Sequence, residues 1–337
     1  MLAHPLRWTL GLAAVTILAA CGGSNSTETD STATDSASAG SGQTSYVIGL
    51  ITKSQMNKVF IPTEKGALAA AEELGEEYGI QIDIRQLAPP QEDANAQANM
   101  LEQLATQADG IAISVSNDKT LRNPIDQAVA AGKQVVTFDS DAPESERMAY
   151  FGTDNFGAGR EVMQALAEEL NFQGRIAVLT GSPNSANLNE RVRGVRSVID
   201  EHEGLSLIKV YDNPTEDFQQ AVNIMEQAHQ ADQIDGWAMV GGWALYVDNA
   251  LDRIPTSVKI TSLDAAPSQL QYIEDGRVAA LFGQASYQWG YESVRLLIDQ
   301  LHKGESPADA IINSPLIKVT ADNLDEYRGQ LADWGWN

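Results

Sequence analysis

One cysteine, Cys21, stands among 337 residues. No internal disulfide can form, and neither a thiolate metal cluster nor a thiol nucleophile can be built around a single thiol. Histidine is nearly as scarce, with His4, His202, His229 and His302. His4 sits in the N-terminal apolar region and the others fall in or beside surface-like helical stretches, none at a strand end beside a nucleophile. No HExxH, CxxC, P-loop or GxSxG pattern occurs, which removes the usual zinc-hydrolase, dithiol, nucleotide-hydrolase and serine-hydrolase readings. Positive charge is also short: 22 Lys and Arg face 46 Asp and Glu, for a net charge of -24. A nucleic-acid partner needs a basic footprint that this chain does not carry. The expectation is therefore a protein that is not an enzyme and uses no metal or cofactor.

Long apolar runs are absent save one, residues 9–20, preceded by Arg7. It is short for a membrane span and ends at small residues, the form of a cleaved signal. Leu18-Ala19-Ala20-Cys21 resembles a bacterial lipobox, which implies cleavage of residues 1–20 and a lipid on Cys21. Residues 22–45 are Gly, Ser, Thr, Ala and Asp in the main, with no Val, Ile, Leu or Phe. Such a segment buries too little to order itself. As a tether it spans roughly 25–30 Å. The expected address is the periplasm or the outer face of the cytoplasmic membrane, lipid-anchored.

From Tyr46 onward, short apolar runs alternate with longer amphipathic stretches. Strands are predicted at 46–52, 80–87, 110–115, 134–139 and 149–152, then at 175–180, 205–211, 234–240, 258–263 and 279–283. Helices are predicted at 63–78, 94–106, 121–131, 156–170, 188–201, 218–230 and 287–301. Ala67, Ala70, Ala71, Leu74 and Tyr78 form one apolar helical stripe. Continuous apolar strands between such helices indicate a parallel sheet covered on both faces. Ten strands are more than one small sheet needs, so the predicted fold is α/β with two Rossmann-like, three-layer lobes that divide near Gly152.

Ligands of open α/β sheets lie outside the carboxyl ends of the strands. There the sequence places Asn57 and Phe60, Ser114, Asp139 and Ser140, Arg191, Trp243, Asp264 and Gln284. Carboxylates accept from hydroxyls, while the arginine fork and amides donate to them. Aromatic rings cover apolar C–H faces. That set suits a polyhydroxylated ligand. Asn and Asp at strand ends are equally turn and N-cap residues. Phe60 and Trp243 fit a core as well as a ligand platform, and Trp237 and Trp289 fit packing. Lys53, Asp118 and Asp141 are expected near the rim. Asp139 and Asp264 also admit a glycosidase-type carboxylate pair, since sequence spacing does not set their separation.

Several motifs in order carry a family resemblance. They are the stretch from Ile48 to Gly66, Gly132-Lys133-Gln134-Val135-Val136-Thr137-Phe138-Asp139, Gly152-Thr153-Asp154-Asn155-Phe156-Gly157-Ala158-Gly159, Asn189-Glu190-Arg191-Val192-Arg193-Gly194, Ser262-Leu263-Asp264, and Gly283-Gln284 with Gln288-Trp289-Gly290. The chain resembles the ribose/galactose-type sugar-binding lipoproteins of ABC importers, the type I periplasmic binding proteins with a LacI-like core. The resemblance implies a monosaccharide held between two lobes by hinge closure, a permease partner, and a monomer. It matches Asn57, Phe60, Asp139, Arg191, Asp264 and Gln284 to ligand positions. It implies crossovers near 152–153, 284–285 and 311–314, giving lobes 46–152 plus 285–311 and 153–284 plus 312–337. Val59, Ser140 and the Gly241-Gly242-Trp243 run depart from the ribose pattern, which points to another pentose, a hexose or a polyol. A sensory lipoprotein presenting a sugar, nucleoside or signalling molecule to a membrane receptor is the alternative.

Overall fold

The computed structural model describes residues 44–336; the apolar run, Cys21 and nearly all of the tether lie outside them. The first half of the described chain runs β1 (Ser45–Ile51), α1 (Ile61–Tyr78), β2 (Gln81–Leu87), α2 (Ala94–Ala105), β3 (Gly110–Ile113), α3 (Asp118–Ala130), β4 (Gln134–Phe138) and β5 (Ala149–Thr153). It continues with α4 (Asn155–Glu169), β6 (Gly174–Thr180), α5 (Ala186–Asp200), β7 (Leu205–Asp212), α6 (Phe218–Ala231), β8 (Gly236–Met239), β9 (Lys259–Leu263), α7 (Gln271–Glu274) and β10 (Ala280–Gln284). The end is α8 (Ser286–Ile298), β11 (Ile311–Ser314), β12 (Leu316–Val319) and α9 (Leu324–Asp333). Ser45, counted with the tether on composition, already pairs with Gln81 in the first sheet.

Two six-stranded sheets form, in the orders β11-β5-β4-β3-β1-β2 and β12-β10-β9-β8-β6-β7. All pairings are parallel except β12 against β10. The central strands β3 and β8 are buried at every position, while β2 alternates between half-buried and exposed. That contrast is what helices on both faces and an open edge require. The fold is the two-lobe, type I arrangement.

Helix boundaries follow local chemistry. Asp93, Asn117, Asp154 and Asp217 accept backbone N–H bonds at the starts of α2, α3, α4 and α6. Each satisfies donors that the first helical turn leaves free. α1 carries proline in its first turn and stops at Gly79, whose φ of 66° favours glycine.

The chain passes between sheets three times, from β5 into α4, from β10 into α8, and from β11 to β12 across Pro315. Residues 312–314 therefore belong to the first sheet, as Ser314 pairs with Thr153. The lobe boundary at 311 is corrected to Pro315, the residue between two strands of different sheets. The C-terminal segment also departs from a simple second-lobe placement. Tyr327 of α9 packs at Gly283 of β10. Trp334 instead stacks on Tyr287 of α8 in the first lobe at 6.2 Å, and Lys65 of α1 donates to the Gly335 carbonyl.

Candidate functional site

β4 and β9 occupy the same place in their respective sheets. Each ends in an aspartate with positive φ, Asp139 at 58° and Asp264 at 70°. In each case the aspartate N–H bonds back to the neighbouring strand, Asp139 to the Phe151 carbonyl and Asp264 to that of Phe282. Left-handed backbone is unfavourable for most L-residues and best tolerated by Asn and Asp outside glycine. The turn holds both carboxyl groups at the strand ends, where they line one cleft.

The cleft is lined by Lys53, Asn57, Val59, Phe60 and Asp139 from the first lobe, and by Asn187, Leu188, Arg191, Glu216, Trp243, Asp264 and Gln284 from the second. Seven residues named from sequence thus come together: Asn57, Phe60, Asp139, Arg191, Trp243, Asp264 and Gln284. Two do not line the cleft. Ser114 reaches it only through Asp139, donating to Oδ2 at 2.6 Å. Ser140 follows the left-handed turn and is buried away from the cleft lining, its hydroxyl without a partner.

Arg191 connects the walls. Its guanidinium donates to Asn155 Oδ1 at 2.8 Å, to the Val240 carbonyl at 3.2 Å and to Gln284 Oε1 at 2.9 Å. It also lies 3.9 Å from Asp139 Oδ1 in the opposite lobe. Gln284 passes the network on, donating to Asp264 Oδ1 at 2.7 Å and accepting from Thr153 Oγ1 at 2.9 Å. Thr153 and Gln284 both sit at crossings between the lobes. Tyr150 braces the same crossing, donating to the carbonyls of Asp139 and Thr153 at 3.0 Å.

Lys53 is corrected from the rim to the interior. It is 4% exposed, donates to Asn187 Oδ1 at 3.3 Å across the cleft, and stands 4.0 Å from Asp139 Oδ2. Asp141 is occupied by Arg147 and by the Thr137 hydroxyl rather than by the cleft. Asp118 lies in an outer groove with Asn117 and Glu190. The Asp264 carboxyl is pushed above its ordinary value, chiefly by burial, with Asp139 adding to the rise; the Gly242 N–H, Arg191 and Gln284 oppose it. A ligand that replaces these neighbours must donate to Asp139 and Asp264 and accept from Lys53 and Arg191.

Aromatic packing fixes the remaining walls. Phe60 meets Phe138 edge-on at 6.5 Å and Trp289 at 6.2 Å. Trp243 donates through Nε1 to Glu216 Oε2 at 3.2 Å. Both rings are thus core residues with one face on the cleft. Trp237 and Trp289 are fully buried. The cleft has only about 20 Å³ of free volume. That is far below the ~300–1,000 Å³ of small-molecule sites. Its narrowness means the walls must part to admit a ring.

Sequence reasoning missed Lys53, Val59, Asn187, Leu188 and Glu216 as lining residues. Lys53 follows β1 by two residues, so the strand-end rule was available for it, whereas Asn187 lies in the first turn of α5, seven residues past β6.

Residues 48–306 match the family described as "Periplasmic binding protein domain". The D-ribose/D-allose-binding protein of Pseudomonas aeruginosa is 22% identical over 289 residues, covering 81% of this chain and 88% of that protein. A crystal structure of an ABC transporter solute-binding protein from Burkholderia graminis, in complex with D-arabinose, superposes with a TM-score of 0.78. Its identity is 26%, covering 84% of this chain and 97% of that one. A glucose-galactose binding protein from Geobacillus stearothermophilus gives a TM-score of 0.76 at 25% identity, covering 83% and 99%.

Proposed function

The chain belongs to the periplasmic binding protein family, and from that premise we propose that it captures a monosaccharide between its lobes and delivers it to an ABC importer permease. The observation that carries this reading is the buried relay from Asp139 through Arg191 and Gln284 to Asp264. It alternates acceptors and donors along one cleft, as a ring bearing several hydroxyls requires. Hydrogen bonds to charged groups contribute about 1.5–3 kcal/mol each. A handful of them gives specificity without a large apolar wall. The sugars in the names of the compared proteins are pentoses and hexoses.

Closure does the work. Sugar contacts on both lobes stabilise the closed arrangement relative to the open one, and only that differential shifts the population. The closed surface is then what a permease recognises. Binding, rather than bond cleavage, is the role assigned to Asp139 and Asp264. Each is tied to fixed donors, Asp139 to Ser114 and Asp264 to Gly242 N–H and Gln284.

Calorimetric titration with aldopentoses, aldohexoses and inositols tests the reading. One sugar is expected to bind with a dissociation constant at or below about 1 μM. A folded, ligand-free protein that binds none of them sinks it.

We also propose that Cys21 carries the lipid that tethers this monomer outside the cytoplasmic membrane. Growth with a radiolabelled or alkyne fatty acid should label the wild type and leave Cys21→Ser unlabelled and released from membranes. Equal labelling of the two removes the anchor.

A further inference from the structure

Beside the sugar cleft lies a second cavity that shares Asn57 and Glu216 with it and is lined further by Ser54, Gln91, Glu92 and Asp217. Glu92 comes from the loop between β2 and α2 in the first lobe. Glu216 comes from the loop between β7 and α6 in the second. The two carboxyl groups line this one cavity from opposite lobes. Each is held through one oxygen: Ser185 Oγ donates to Glu92 Oε1 at 3.2 Å, and Trp243 Nε1 to Glu216 Oε2 at 3.2 Å. The other two oxygens, Glu92 Oε2 and Glu216 Oε1, are buried and have no donor. An ionised carboxylate only accepts, so two of them lining one cavity leave these two oxygens unsatisfied. One proton resolves the pair by making one carboxyl a donor. Glu216 also has a φ of 53°, a conformation that costs a non-glycine residue energy and persists only where its surroundings enforce it.

We propose that Glu92 and Glu216 hold one proton between them when the lobes are closed, so that closure takes up a proton from solvent.

The proposal rests on the hinge-closure reading of the cleft. The groups around Glu216 agree with it. Burial, then Glu92, push the Glu216 carboxyl up to about 8, with Asp139 adding to the rise and Lys53 opposing it. Lys53 is itself engaged with Asn187 and Asp139. The sequence neighbours Asp93 and Asp217 are occupied in capping α2 and α6. When the lobes part, Glu216 returns to water, where a glutamate ordinarily titrates near ~4.3. The closed state therefore binds more protons than the open state between about pH 5 and pH 8. Its advantage is present at the acid end of that window and is lost as pH rises through it, up to tenfold in the closing equilibrium per pH unit.

Single-molecule energy transfer reads this without a ligand. Dyes are placed on cysteines introduced at the exposed positions Glu76 and Glu203, in a Cys21→Ser background. The ratio of closed to open molecules is expected to fall at least tenfold from pH 6 to pH 8 in the otherwise unaltered chain. Glu216→Gln and Glu92→Gln each supply a permanent amide donor in place of the proton, and both are expected to flatten the profile to within twofold. A flat profile in the unaltered chain overturns the proposal, as does a slope that survives in both variants. Proton-linked closing in a protein that binds no sugar from the panel upholds the acid pair and removes only the ligand assignment.

Discussion

Asp139→Ala and Arg191→Ala are each expected to weaken sugar binding by at least a thousandfold. Asp139 faces Lys53 at 4.0 Å and Arg191 at 3.9 Å, with all three side chains buried in the closed cleft. Removing one partner of a buried charge pair costs about 3–5 kcal/mol, because the other charge is left without compensation. The sugar's own charge-assisted bonds, about 1.5–3 kcal/mol each, are lost in addition. Together these amounts exceed the ~4.1 kcal/mol that a thousandfold change represents. The two variants differ in what else they disturb. Arg191 holds Asn155, the Val240 carbonyl and Gln284 within its own lobe, so its loss should also lower the melting temperature. Asp139 sits at a φ of 58°, which alanine tolerates less well than asparagine. Asp139→Asn is thus the cleaner probe and should bind at least tenfold more weakly with little change in melting. Calorimetry on all three variants, with melting curves alongside, checks the set. Binding within threefold of the wild type in both alanine variants would remove the site.

Much of this was legible before any coordinates. The ten main strands and seven long helices follow from apolar runs and helical stripes, because central strands buried on both faces leave a continuous apolar signature. Asp139, Asp264 and Gln284 were readable because each ends a strand or directly follows one, and Arg191 because it lies on the helix that leaves β6; the topology gathers those ends. The losses have physical causes. β11 and β12 are four-residue strands with largely accessible faces, so they carry little apolar pattern, and the crossing at Pro315 was misplaced with them. Lys53 reads as a solvated residue until the opposite lobe covers it. Glu216 lies in the polar run Pro214-Thr215-Glu216-Asp217, and its surroundings, Trp243 and a cavity shared with Glu92, come from distant parts of the sequence. Ser140 was read by adjacency to Asp139, but the positive φ at Asp139 breaks the expectation that neighbouring side chains share a wall. Closing two lobes creates environments that no local pattern encodes.

The glycines of the recognised motifs bind the fold to the site, and Gly159→Ala puts this to a stability test. An ideal Cβ on Gly159 would lie 1.9 Å from the Arg191 carbonyl oxygen, and one on Gly194 2.1 Å from that of Phe156. These contacts join α4 to α5. The first lobe repeats the device between α1 and α8: a Cβ on Gly66 meets the Tyr287 carbonyl at 2.0 Å, and one on Gly290 meets that of Thr63 at 1.9 Å. Both partners are backbone, so no rotamer change relieves the overlap and the helices must separate. Overpacking of a well-fitted core commonly costs about 1–3 kcal/mol. Forced separation of two helices along their contact belongs at or above the top of that range. Alanine regains about 1 kcal/mol of helix propensity relative to glycine. The net expectation for each of the four substitutions is a loss of at least ~2 kcal/mol by denaturant unfolding, using the overpacking and propensity figures together. Gly329 is the control: it lies within α9 with nothing within 4 Å of an added Cβ, so Gly329→Ala should be neutral or stabilising by up to ~1 kcal/mol. The two lobes then separate by function. Gly66→Ala should cost stability with less effect on the Arg191 wall, whereas Gly159→Ala displaces the backbone that carries Arg191 and should weaken sugar binding as well. Gly159→Ala matching Gly329→Ala in both readouts would mean that the helices tolerate separation and that the motif has some other cause.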